Sequence, residues 1–331
     1  MLDAYAKQLH QCLQWNPIYG VEGKEKQKFV EALTDIAALP LDSVSMEIRR
    51  LLIVFSVETT ENNHPSYFHN LITALSARDI QIKCKAAMAV GSLCISRVAG
   101  QQLLDQYGEQ MLKSLTKMAT RKNQWVQGDA FYVLGWMVVI ADEAMLTSIL
   151  QLLPTVVKYL HRNVQLSLGT ENDGEESRLS TSALASSEEA SNFRVYALVL
   201  LLNFSQRRVD AFVDHLENVL LMFKDLVVKL LEPISTTAVD DINSSRCPSF
   251  FDAFEYAEVL KLVITLLSVL SDQLESAAPQ LLELKMLPSL LKLKQVLAQP
   301  TTCDLVDDVI RQDLVDRLEV IVEILVNCRL L

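Results

Sequence analysis

One apolar spacing, i, i+3, i+4, i+7, returns six times along this chain, each time in the middle of a stretch that favours helix. It occurs as Ile48/Leu51/Leu52/Phe55, Ala86/Ala89/Val90/Leu93, Ala130/Val133/Leu134/Met137, Ala197/Leu200/Leu201/Phe204, Leu262/Thr265/Leu266/Val269 and Leu318/Ile321/Val322/Leu325. At helical periodicity those positions form one stripe, which a helix must bury against a neighbour. The intervals of 38, 44, 67, 65 and 56 residues point to a unit of about 40 residues, twice lengthened by insertions. The predicted fold is all-α: a right-handed superhelical solenoid of about six helical repeats. Such an array hides its stripes between neighbours and leaves one long concave surface, so it suits binding rather than catalysis.

The 331 residues are expected to form a single continuous domain, because stacked repeats need no second core. Residues 1–45 read as capping helices, with Asn16-Pro17 and Gly20 separating the first from the second and Pro40 ending the second. The cleanest helical stretch runs from Asp79 to Leu160: 80–96, 101–120, 126–141 and 144–161. Residues 165–192 hold nine Ser/Thr, six acidic residues and one arginine, too few apolar groups to offset the entropy of ordering, and read as a disordered acidic insertion. Ser180, Ser186 and Ser187 within it are candidate phosphate acceptors. A second loop insertion is expected at 232–252, followed by helices at 254–271, 279–298 and 304–327.

The net charge of −11 is unevenly spread: residues 1–166 carry 16 Lys+Arg against 15 Asp+Glu, and residues 167–331 carry 14 against 26. The acidic half disfavours nucleic acid and anionic lipid and favours a cationic protein partner. Six scattered cysteines with no CxxC pair suit a reducing compartment, where they act as small apolar residues. The opening residues show no basic-then-apolar leader, and the longest apolar runs, 130–141 and 259–270, are too short to insert in a membrane.

Catalytic patterns are missing: no Gly-rich phosphate loop, GxSxG or HExxH, and no Cys/His metal cluster. An enzyme, a metal site and a cofactor are therefore not expected. The acidic run Asp304, Asp307, Asp308, Asp313 and Asp316 reads as surface ion pairs with Arg311 and Arg317.

The segment from Asp79 to Cys94, a small-residue run ending Gly91-Ser92-Leu93-Cys94, resembles the last helix of an armadillo repeat; Val195 to Ser205, with Leu202-Asn203-Phe204, resembles it too. HEAT repeats are nearly as similar. The resemblance implies that the final helix of each unit lines a groove holding a peptide through a Trp four residues before an Asn. It places the Trp-type positions at Arg50, Met88, Tyr132, Val199 and Ile264, and the Asn-type positions at Val54, Ser92, Trp136, Asn203 and Ser268. Only Asn203 keeps the asparagine, which argues against capture of basic nuclear-localisation peptides.

What remains is an aromatic centre, Tyr132 and Trp136, with polar flanks. Lys85, Met88, Ser92, Asp129, Tyr132, Trp136, Tyr196, Val199 and Asn203 are the candidate partner-binding residues. Lys113, Lys117, Arg121 and Lys122 form a basic stripe on one helix, with a solvated face as its simpler explanation. The expected function is a cytoplasmic or nuclear adaptor or scaffold that binds a peptide or helical segment of another protein. Two other readings are a co-chaperone or assembly factor that clamps a folded domain, and an obligate subunit with an assembly edge near Leu325 and Leu330-Leu331.

Overall fold

The computed structural model describes residues 2–13, 23–61, 67–166, 187–235, 251, 253–299 and 306–330. Every regular element among them is helical: α1 (Leu2–Cys12), α2 (Lys24–Ala37), α3 (Ser43–Glu61), α4 (Tyr67–Ala74), α5 (Ile80–Ile95), α6 (Arg97–Ala119), α7 (Gln124–Ile140) and α8 (Glu143–Leu150) come first. They are followed by α9 (Leu153–Leu166), α10 (Ser187–Arg208), a 3₁₀ turn (Val209–His215), α11 (Leu216–Ser235), α12 (Ala253–Gln273), α13 (Ala277–Glu283), α14 (Leu287–Leu297) and α15 (Asp308–Leu330). The packing divides the chain into two compact units, Met1–Leu152 and Leu153–Leu331.

Local chemistry starts and stops these helices. Asp79 caps α5 by accepting from the amides of Gln81 and Ile82, and Asn123 caps α7 through Trp125 and Val126. Ser96 opens α6 and Asp142 opens α8 in the same way. Each cap satisfies helix-end donors that otherwise need water. The single helix expected at 144–161 is two, α8 and α9, because Pro154 has no amide hydrogen to continue a helix and is accommodated instead in the first turn of α9. The expected 279–298 helix is also broken: Lys285 takes φ 57, and its amide reaches Leu282 O while Met286 N reaches Leu281 O. That pair of bonds is a Schellman stop, made here without the usual glycine.

In the first unit the helices form two rows. α2 packs on α5 and α5 on α7, while α1 packs on α3 and α3 on α6; α4 fills between α3, α5 and α6. α2 and α5 run parallel, as shown by contacts that advance together, Lys26 to Asp79 at 3.4 Å and Ser92 Oγ to Ile36 O at 2.7 Å, and α7 runs parallel to α5, with Asp129 beside Cys84 and Trp136 beside Cys94. The stripe residues Ala86, Ala89, Val90, Leu93, Ala130, Val133, Leu134 and Met137 have no exposed surface, as their spacing requires.

The stripe at Ile48, Leu51 and Leu52 is also buried, but it belongs to the other row. α2, read from the sequence as a cap, stands beside α5 instead. Apolar spacing fixes that a face is buried, not the layer that buries it.

Arg49 explains this register. Its guanidinium is fully buried and donates to the carbonyls of Leu39 (2.6 Å), Pro40 (2.9 Å) and Ser92 (2.7 Å). A cation thus closes the C-terminal end of α2, where the helix dipole is negative, and ties it to α5.

The second unit repeats the scheme. α10 packs on α12 and α12 on α15, while α9 packs on α11 and α11 on α14. Arg194 of α10 forms a two-pronged salt bridge with Glu255 of α12, which is 1% exposed, and stacks 5.4 Å from the Phe251 ring. His161 Nδ1 lies 3.3 Å from Asp225, joining α9 to α11. α10 begins at Ser187 and α9 runs to Leu166, so both ends of the segment expected to be disordered are helical. Ser180 and Ser186, residues 167–186, and residues 236–250 and 252 lie outside the described residues, as do the side chains of Ser187 and Leu330. Leu325 is fully buried, which removes it from the expected assembly edge.

Candidate functional site

The side-by-side contact of α5 and α7 makes a shallow furrow on the first unit. Cys84 donates to Asp129 at one end, the Tyr132 ring lies over Gly91 in the middle, and Cys94 and Ile95 meet Trp136 at the other. Gly91 permits this approach, because a Cβ there would stand 2.2 Å from a Tyr132 ring carbon. Tyr132 and Trp136 are joined by a hydrogen bond in which the indole N–H donates to the phenol oxygen. Both rings are half-buried. Burial pushes the Tyr132 phenol above its ordinary pKa.

The candidate residues separate into three groups. Lys85, Met88, Tyr132 and Trp136 are partly exposed along the furrow. Ser92 and Asp129, expected to face a partner, are instead internal at 1% and 6% exposure. Ser92 Oγ donates to Ile36 O and accepts from Arg49, and Asp129 accepts from the Cys84 thiol. A hydroxyl or carboxylate amid apolar residues was free to face outward by sequence alone; partners more than 40 residues away drew these inward. Tyr196, Val199 and Asn203 are half-buried on α10 in the second unit. Lys113, Lys117, Arg121 and Lys122 are all exposed.

At the C-terminal ends of α5 and α7 the furrow deepens into a cavity of about 160 Å³, lined by Cys94, Ile95, Arg97, Trp136, Val139 and Ile140. Of these, only Trp136 was legible as a site residue. Val139 is one turn beyond it, and Arg97 reaches the cavity because α6 starts two residues after α5 ends. Cys94 is buried, which pushes its thiol up to about 12, and burial likewise raises Cys84, with Asp129 adding to the effect. Neither thiol is primed as a nucleophile. Among the described residues no group of His, Cys, Asp and Glu is arranged to hold a metal ion, and no helix is long and apolar enough to cross a membrane.

No family model matches the chain, and no curated protein does. Solved structures do. A designed armadillo repeat protein superposes with a TM-score of 0.54 at 13% identity, covering 98% of this chain and 100% of its own. A computationally designed armadillo repeat protein for modular peptide recognition gives 0.55 at 14% identity, covering 98% and 99%. An engineered protein gives 0.54 at 15% identity, covering 94% and 98%. The fold is therefore an all-α solenoid of the armadillo-repeat type.

Proposed function

We propose that this protein is a non-catalytic adaptor that binds a segment of another protein along the furrow between α5 and α7. The observation that carries the reading is the Tyr132–Trp136 pair: two large aromatic rings, hydrogen-bonded to each other and half-buried, beside a cavity with an apolar wall. Preordered aromatic rings beside an empty apolar recess are what an interface anchor needs, since little entropy is lost when a partner side chain docks. A protein of the same fold has been designed for modular peptide recognition, which supports a linear partner. The cysteine pattern supports a reducing location, cytoplasmic or nuclear.

Photocrosslinking in cells tests this. A benzophenone amino acid at Met88 or Val139 is expected to give adducts with another protein, and one at exposed Gln110 on α6 is not. Equal adducts from all three positions, or none from the furrow, would overturn the assignment.

A further inference from the structure

We infer that the furrow takes an acidic linear segment in extended form, with one bulky apolar side chain seated beside Trp136 and carboxylates held by Arg97 and Lys85. This rests on the interaction reading above and names its partner's chemistry.

The cavity sets the anchor. At about 160 Å³ it is close to the roughly 150 Å³ that holds a benzene ring in an engineered protein cavity, so one leucine or phenylalanine side chain fills it. Its walls are apolar except for Arg97. Val139, which lines it, is 49% exposed and carries the apolar surface out to solvent.

The charges set the flanks. Arg97 is exposed and Lys85 is partly exposed, and neither makes an ion pair among the described residues. Lys83, two positions before Lys85 and so on another face of α5, is enclosed at 4% exposure near Arg121 and adds no accessible charge to the furrow. Of the nearby carboxylates, Asp129 is enclosed at 6% exposure and accepts from Cys84, and Asp142 is turned to the first turn of α8, accepting from Met145. The side-chain charges that reach the surface of the furrow, Arg97 and Lys85, are positive, although the chain as a whole carries −11. The whole-chain balance, which favoured a cationic partner, reflects the other half of the sequence.

Geometry sets the length. The ten helical steps from Lys85 to Ile95 span about 15 Å, which an extended strand covers in roughly five residues. A peptide is favoured over nucleic acid because the cavity is sized for one side chain, and five of its six lining residues, Cys94, Ile95, Trp136, Val139 and Ile140, are apolar.

The test is fluorescence anisotropy of the full chain with a labelled nonapeptide of aspartate and glutamate around a central phenylalanine. Saturable binding is expected. Replacing the phenylalanine by alanine should weaken it roughly tenfold or more, as loss of an anchor does. R97E, at an exposed position, should weaken it similarly without changing the melting temperature, and added salt should weaken it further. Equal binding of a lysine-for-acid peptide, indifference to R97E or to loss of the phenylalanine, or tighter binding of an oligothymidylate would overturn the inference. Failure of the peptide with persisting crosslinks from Met88 and Val139 would remove the acidic motif and leave the furrow as the interface; failure of both would remove the furrow as well.

Discussion

Replacing Arg49 by methionine perturbs a fully buried cation that is held by backbone carbonyls. The side chain donates to Leu39 O, Pro40 O and Ser92 O, and also meets Ser92 Oγ at 3.1 Å. Hydrogen bonds from a charged donor each contribute about 1.5–3 kcal/mol. Leu39 and Pro40 lie at a partly exposed turn, where water can take over their carbonyls, but the carbonyl of fully enclosed Ser92 loses its partner. The net loss is expected to be about 2–4 kcal/mol.

Urea denaturation measures this loss, and amide exchange locates it: protection should fall first in α2, whose end Arg49 closes. Ser92→Ala should cost about 1–2 kcal/mol, and the two changes should couple by at least about 1 kcal/mol in a double-mutant cycle. Methionine fills much of the same volume. A loss below about 0.5 kcal/mol with unchanged α2 exchange would mean that the guanidinium only occupies space, and would refute the argument.

Other expectations concern local packing and pH. Gly91→Ala drives a Cβ into the Tyr132 ring and should destabilise by about 1–3 kcal/mol, with a changed tryptophan emission as Trp136 shifts. Arg194→Ala leaves Glu255 buried without its cation and should cost about 3–5 kcal/mol in a thermal or urea melt. Lys285→Gly relieves a left-handed residue and should raise stability by about 1 kcal/mol.

Burial pushes His10 down to about 4 from its ordinary 6.5. The folded state therefore binds fewer protons than the unfolded chain between those values, and stability should fall as pH drops through that window. The slope is at most about 1.4 kcal/mol per pH unit. Urea midpoints measured across the window should show this slope in the native chain and a flatter one in His10→Phe.

The sequence was most informative where a residue's role depends on its own helix. The apolar stripes, the Tyr132–Trp136 pair on one face and the Asp79 and Asn123 caps all follow from spacing of three or four residues. Roles set by a distant partner were not legible. Ser92 turned inward because Arg49 and Ile36 meet it there, and α3 changed rows because its buried arginine reaches the end of α2. Arg97 entered the cavity through the short connection between α5 and α6, and no periodicity marks it. Proline placement was legible in principle: Pro154 lies at the start of α9, where the longer predicted helix ran through it.

The measurement closest to the central claim is amide exchange of the full chain, free and bound to the partner captured from Met88 or Val139. The account predicts slowed exchange in residues 80–95 and 124–140, with α15 unchanged. Slowing confined to α15, or to the row of α1, α3 and α6, would contradict it.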